Sequence, residues 1–337
     1  MTQTPIDLLR SERLAQTPVV ALSEGEDPRI VAGALAAVRE GLADVILVGA
    51  SDVVKSQLDA AGANPSDRVQ VHDPATSELT GQFATTFHDL RKHKGVDEDA
   101  ALAAAKTPLV YAAMLVREGH AVGTVGGAVA TTSDVVRTAI QVLGKAADAD
   151  MVSSFFLMYP PKAATPHARA MLYSDCGLVI DPSAQELSAI ASASAKSCQS
   201  LLRQDPVIAM LSFSTMGSAR HDAVTKVTDA LAILREKRPD LTVDGELQFD
   251  AAFVPSVGER KAKGSAVAGS ANVMVFPNLD AGNIGYKITQ RLGGYDAIGP
   301  ILQGLSKPAN DLSRGCSAED VTQMIAVTIL QSLQTAA

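Results

Sequence analysis

An α/β fold with largely parallel sheets is the class this sequence predicts, on three observations. Short apolar runs alternate with segments of helical period along most of the chain. Ala, Val, Ile and Leu dominate while aromatics make up 4% and Trp is absent, a bias that suits buried parallel strands wrapped by Ala-rich helices. With 337 residues and 47% hydrophobic content, the chain can build one large or two medium cores.

The elements follow in order. Val19 to Leu22 is the first apolar run, and Asp27-Pro28 behind it reads as an N-cap and first helical residue. Ile30, Val31, Leu35, Ala36 and Val38 continue at helical spacing to about Gly41. The run at 45–48 is the next buried strand, with Ser51 expected to cap the helix after it. Strand, helix, strand and helix at this spacing make a βαβ unit, hence a right-handed crossover and a parallel sheet. Helical patterning predicts a helix over 99–118, and 123–127 reads as a glycine-rich turn. A second series begins after about residue 150. Strands are expected at 207–213, 243–247 and 273–276, and 218–221 leads into a helix with Val224, Val227, Ala230 and Leu231 on one face. A last helix after Ser317 runs through Val321, Met324, Ile325 and Leu333. Two α/β units result, without a Pro- or Ser-rich linker between them.

Charge and cysteine content exclude other classes. There are 29 Lys and Arg against 37 Asp and Glu, a formal charge of -8, and only 20% of residues are charged, which argues against a nucleic-acid surface or a disordered tail. Three cysteines, Cys176, Cys198 and Cys316, are too few and odd in number for a disulfide framework and suit a reducing cytoplasm. The first sixteen residues carry Asp7, Arg10, Glu12 and Arg13 through their only apolar patch, unlike a signal peptide. No stretch approaches the roughly 18 apolar residues of a membrane span. A soluble, cytoplasmic protein without membrane or nucleic-acid partners is expected.

Ligand sites in parallel α/β sheets lie beyond the carboxyl ends of strands, so the loops there carry the chemistry. The loop 126–134 opens a helix carrying Arg137, and its glycines and hydroxyls suit either an anion cradle or an ordinary strand-to-helix turn. The loop 212–219 follows a strand directly. Alternation places Asp244, Glu246, Gln248 and Asp250 on one face, as a solvated sheet edge or as the polar lining of a cleft. No histidine is spaced to join them around a metal ion, and no metal is expected. From 280 to 316, Lys287, Arg291, Lys307 and Arg314 stand against Asp280, Asp296 and Asp311, a local excess that fits an anionic ligand or a solvated surface.

The stretches 212–219, 244–252, 272–291 and 299–317 together closely resemble the phosphate acetyltransferase (phosphotransacetylase) family. The most specific stretch is Asn310-Asp311-Leu312-Ser313-Arg314-Gly315-Cys316-Ser317, and the resemblance extends from about residue 17 to the carboxyl terminus. It implies reversible transfer of an acetyl group between coenzyme A, as co-substrate, and inorganic phosphate, with no tightly bound cofactor. It also implies two α/β/α three-layer domains with an inter-domain active-site cleft, residues 1–147 with 304–337 and residues 148–303, and a homodimer.

By the same resemblance Asp320 takes the proton of the CoA thiol, Ser313 orients the sulfur, and Arg314 holds phosphate and acyl oxygens. Arg91 and Arg137 match the family's arginines for CoA and substrate anions, and Thr131, Thr132, Asn283 and Tyr286 are contacts to the acyl phosphate. Each has a plainer reading. Ser317-Ala318-Glu319-Asp320 is also a capping pattern, and Asp320 can serve as cap, as base or as both. Arg91 stands in a basic run, Arg91-Lys92-His93-Lys94, that also reads as a solvated face. Cys316 raises a covalent acetyl-thioester route, but no histidine neighbours it and buried cysteines mostly pack. His221 reads as a capping neighbour. A longer acyl chain such as butyryl, or a non-catalytic CoA or acyl-phosphate sensor, are the alternatives, with the motif wording favouring acetyl. A nicotinamide dehydrogenase is disfavoured because the glycines at 123–127 have the wrong spacing for a dinucleotide fingerprint.

Overall fold

The structure, a computed structural model, describes residues 3–161 and 167–335. The first two residues of the amino-terminal segment and 162–166 of the second expected domain lie outside the described residues. Eleven strands run in chain order among those described: β1 (Val19–Leu22), β2 (Asp44–Val48), β3 (Val69–His72), β4 (Gly123–Gly126), β5 (Ser153–Tyr159), β6 (Met171–Ser174), β7 (Val207–Leu211), β8 (Thr242–Leu247), β9 (Val273–Val275), β10 (Asp296–Gln303) and β11 (Ala309–Asp311). The chain forms two compact units. The terminal unit comprises Thr4–Ala147 and the chain from Leu305 on, and the middle unit comprises Asp148–Gly304.

In the terminal unit the strand order is β11-β4-β1-β2-β3, and every pair is parallel. The chain lays β1, β2 and β3 outward in one direction, then places β4 on the other side of β1. That reversal between β1 and β4 opens a crevice at the carboxyl ends of the strands. The expected helix start at Asp27-Pro28 is present: Pro28–Arg39 is helical and the Asp27 side chain accepts from the Arg29 amide. Ser51 opens the next helix, Ser51–Ala60, but does not cap it. The amides of Ala50 and Ser51 instead donate to Glu26 (2.8 Å) and Asp73 (3.1 Å), carboxylates brought from other segments. The pattern at 99–118 is two helices, Glu98–Ala105 and Pro108–Arg117, set at 92°. Pro108 has no N–H to extend the first and its fixed φ starts the second. Among the described residues no single helix is long and apolar enough to cross a membrane.

The glycines at 123–126 form a strand rather than a turn. β4 is fully buried between β11 and β1. A Cβ on Gly123 would lie 2.3 Å from Thr328 of the carboxyl-terminal helix, and one on Gly126 would lie 2.2 Å from Ser23 and 3.2 Å from Leu109. Positions three apart on a strand face opposite ways. The helix Ala318–Thr335 therefore covers one face of the sheet and Pro108–Arg117 the other, a three-layer α/β/α arrangement.

In the middle unit the order is β10-β5-β6-β9-β7-β8. β6, β9, β7 and β8 are parallel, whereas β5 is antiparallel to both β6 and β10. Pro300 sits where the β10 register shifts, on an edge strand, the place in a sheet where a missing N–H is tolerated. Phe156 and Met158, Met171 and Tyr173, Ala209 and Leu211, Met274 and Phe276 are alternate positions that fill one core. The helix with Val224, Val227, Ala230 and Leu231 is Asp222–Lys237, all four are buried, and His221 is its N-cap.

The shared face expected for Asp244, Glu246, Gln248 and Asp250 does not form. Met210 pairs with Gly245 and Leu211 with Leu247, so Glu246 is an extra residue that breaks the alternation. Gln248 and Asp250 already belong to the helix start at Phe249–Phe253. Asp244 pairs with Arg235 (2.9 Å) and Asp250 with Lys261 (2.9 Å). Buried Glu246 accepts from Ser214 Oγ (2.7 Å) and the Gly217 amide (2.8 Å), tying down the loop 212–219.

Candidate active site

Three adjacent strands of the terminal unit, β11, β4 and β1, end at one edge of the sheet, and a polar segment follows each. Behind β4 come Gly126, Gly127, Ala128, Val129, Ala130 and Thr131, then the helix Thr132–Val142. Behind β11 come Leu312, Ser313, Arg314, Gly315, Cys316 and Ser317, then the helix Ala318–Thr335. Leu312 N donates to Gly126 O at 2.7 Å and joins the two loops. Gly127 has φ +100°, and a Cβ there would lie 2.0 Å from Asp311 Oδ1, so only glycine permits this approach.

The anion cradle suggested by the loop 126–134 is filled from within. Glu24, in the turn after β1, accepts from three consecutive amides, those of Ala128 (2.7 Å), Val129 (3.1 Å) and Ala130 (2.7 Å). Thr131 caps the helix through the Asp134 amide (3.2 Å) and donates its hydroxyl to Asp134 (2.8 Å). That hydroxyl, then Arg137, holds the Asp134 carboxyl below its ordinary range. Arg137 pairs with Asp134 and lines a cavity of about 580 Å³ with largely apolar walls, including Val48, Phe87, Leu109 and Val129. A cavity of this size is in the range that takes much of a cofactor-sized molecule. Thr132 donates to Asp311 at 2.6 Å. Asp311 is fully buried, its other oxygen has no hydrogen-bond partner, and burial, reinforced by the Glu24 charge, pushes its pKa up to about 7.

Ser313 and Arg314 are exposed. Ser313 Oγ accepts from the Gly315 amide at 3.2 Å, which leaves its O–H free to donate. Asp320 stands as the capping pattern requires: Oδ2 accepts from Ser317 N (2.8 Å) and Ser317 Oγ (3.0 Å), while Asp320 N donates to Ser317 Oγ (3.2 Å). Cys316 is buried, and desolvation raises its pKa, which favours the neutral thiol. Arg91 ends the helix Thr80–Arg91, one turn beyond Phe87, half-buried, while Lys92, His93 and Lys94 beside it are exposed.

Thr131, Thr132, Arg137, Ser313, Arg314 and Asp320 thus share one edge of the terminal sheet. Asn283 and Tyr286 belong to the middle unit, on one face of the helix Leu279–Arg291. Asn283 Nδ2 donates to Cys176 O at 3.0 Å, and Tyr286 stacks on Phe156 with centroids 4.0 Å apart. Among the described residues no group of three His, Cys, Asp or Glu side chains is placed to hold a metal ion.

Glu24 and Arg29 are not marked as site residues by the sequence, and Asp311 appears there only as a charge without an assigned role. The turn Ser23-Glu24-Gly25-Glu26-Asp27-Pro28-Arg29 also follows a parallel strand and is dense in charge, which was the available signal; it reads locally as a helix cap and nothing more.

The comparisons agree across this whole assembly. The profile of the phosphate acetyl/butaryl transferase family matches residues 6–329. A phosphate acetyltransferase of Paracoccus denitrificans is 46% identical over 328 residues, 97% of this chain and 99% of that one. A phosphate acetyltransferase of Acetivibrio thermocellus is 46% identical over 313 residues, 93% of each. The crystal structure of a phosphotransacetylase from Streptococcus pyogenes shares the fold at a TM-score of 0.91, with 41% identity and 98% of both chains covered. Since the match runs through both units and every loop built above, the chain belongs to the phosphate acetyl/butaryl transferase family.

Proposed function

We propose that the protein is a phosphate acetyltransferase that interconverts acetyl-CoA plus phosphate with acetyl phosphate plus CoA. The observation that carries this reading is identity of 40–46% over nearly the whole chain to proteins of that name. The loop 312–317 and the helix start that follows it support this reading, with the hydroxyl of Ser313, the guanidinium of Arg314 and the carboxylate of Asp320 all exposed beyond the carboxyl end of β11.

In this mechanism both substrates are bound at once. The CoA sulfur attacks the acetyl carbonyl of acetyl phosphate, a C–S bond forms, and the C–O bond to phosphate breaks. A free thiol with a pKa near ~8.5 is only a few per cent ionised at neutral pH, so its proton needs an acceptor. Asp320 is assigned that role through Oδ1, because Oδ2 is held by the cap. The Ser313 hydroxyl orients the sulfur. Arg314, whose guanidinium makes no hydrogen bond among the described residues, takes the phosphate oxygens bidentately and stabilises them as they leave. Arg137 and the apolar cavity are assigned to CoA, with Arg91 as a further anion contact. Thr131, Thr132, Asn283 and Tyr286 are assigned to the acyl phosphate by family resemblance. The same resemblance supports a cytoplasmic homodimer, expected to sediment at twice 35.0 kDa.

The test is thioester formation from acetyl phosphate and CoA, with butyryl phosphate alongside. Turnover with acetyl phosphate and little with butyryl phosphate is expected; the reverse preference would make this a longer-chain acyltransferase, and binding without turnover a sensor. Arg314→Ala and Asp320→Ala are each expected to lower kcat/KM by roughly 100-fold or more while staying folded. Ala104→Phe, at the cavity wall, is expected to raise KM for CoA several-fold with little change for acetyl phosphate; equal effects on both would detach the cavity from CoA.

A further inference from the structure

The geometry points to Arg29 as the positioning residue for Arg314. All five N–H donors of its guanidinium have an acceptor. Nε and Nη2 grip the two oxygens of Asp27 at 3.0 and 2.7 Å. Nη1 donates to the backbone carbonyl of Arg314 at 2.7 Å and of Cys316 at 3.3 Å, and Nη2 also donates to the carbonyl of Ala128 at 2.9 Å. One planar fork therefore joins three segments that are far apart in sequence: the turn after β1, the loop after β4 and the loop after β11.

The anchor is built into a helix start. Asp27 is the N-cap of Pro28–Arg39 and also accepts from the Arg29 backbone amide, so the fork is held in plane from the start of a helix. Glu24, from the same turn, fixes the amides of Ala128, Val129 and Ala130 while Arg29 fixes the carbonyl of Ala128. The loop carrying Ser313 and Arg314 is exposed; the amides of Gly315, Cys316 and Ser317 bond within the loop and the helix start that follows it, and the Leu312 amide reaches Gly126. Bonding to the carbonyl of Arg314 itself sets the point from which that side chain reaches into solvent. With Asp27 bound to it, Arg29 has no free donors with which to compete for the anion that Arg314 receives. A lysine cannot replace it, since an ammonium has three donors in a tetrahedral arrangement and no fork.

This inference rests on the phosphate acetyltransferase reading, and the experiment separates the two. Arg29→Lys, Arg29→Gln, Arg314→Ala and the Arg29→Lys/Arg314→Ala double variant are assayed as full-length chains with acetyl phosphate and CoA, alongside thermal melts. Arg29→Lys is expected to melt cooperatively and to lose roughly 30- to 100-fold in kcat/KM for acetyl phosphate, the scale of a loss from slight misplacement. The double variant is expected to lose little beyond Arg314→Ala alone, because a residue that acts through Arg314 has nothing left to position. Near-normal rates in Arg29→Lys, or losses that multiply in the double variant, overturn the inference while leaving the function standing. Failure of both Arg29 variants to fold also overturns it, making Arg29 a folding residue. A wild-type chain without turnover, or full activity in Arg314→Ala, removes the functional reading and the inference with it.

Discussion

Asp311 shows how a single residue links the site to pH. Its carboxyl lies at 0% exposure, accepts one hydroxyl from Thr132, and has its pKa raised to about 7 by burial, with Glu24 adding repulsion and Arg314 and Thr132 opposing it. From about pH 4 to about 7 the folded chain holds a proton that the unfolded chain has released, so this group's contribution to stability falls as pH rises through that window. The full loss above the folded pKa is at most roughly 4 kcal/mol, at about 1.4 kcal/mol per pH unit. Asp311→Asn has no charge to acquire. Its melting temperature relative to the wild type is expected to climb between about pH 5 and pH 8, by several degrees; a difference that stays level over that range would show the carboxyl already ionised. Sequence alone marked Asp311 only as one charge in a balance, because its burial arises where β4, β11 and the start of Thr132–Val142 meet. Asp320, by contrast, was legible, since Ser317 lies three residues away and a capping box is local.

At the scale of elements, β4 is the instructive case. Gly123, Val125 and Gly126 offer no alternating pattern, yet the strand lies inside the sheet because the carboxyl-terminal helix comes so close that a methyl group at Gly123 would strike Thr328 Cγ2. Thr328 cannot easily rotate away: its hydroxyl donates to Met324 O at 2.8 Å and accepts from Asn310 Nδ2 at 2.9 Å. Gly123→Ala is therefore expected to lower stability by about 1–3 kcal/mol in urea unfolding. Adding Thr328→Ser, which removes only the colliding methyl, should recover much of that loss. No recovery would place the strain elsewhere, for example against Pro308. Helix starts were legible at Asp27-Pro28 and Ser317, because caps and 3.6-residue periods lie within a few neighbours of each other. The break at Pro108 was equally local, but a helical apolar pattern on both sides masked it.

For the whole molecule, the two units differ in how the chain completes them. All six strands of the middle sheet come from one continuous segment, whereas the terminal sheet takes β11 and its covering helix from the far end of the chain. A fragment of residues 148–304 is expected to fold alone and unfold cooperatively in urea, monitored by circular dichroism. A chain ending at residue 304 should lose the terminal unit, since Gly33, Gly123 and the buried face of β4 would be stripped of the helix carrying Val321, Met324 and Thr328. A chain ending at 304 that unfolds with the full-length midpoint would contradict this account.

The α/β class, strands β1, β2, β7, β8 and β9 and the helices after Asp27 and Ser317 were readable from the amino acids in a row, because propensity, capping and apolar period act over a few residues, while the stretch 310–317 stood out by its resemblance to a family. Folding decided that three polar loops meet at one sheet edge, that Glu24 fills the cradle prepared for an anion, and that Arg29 reaches the carbonyls of Arg314 and Cys316. These are contacts between residues a hundred or more positions apart, and only the parallel registers of β11, β4 and β1 bring them within hydrogen-bond reach.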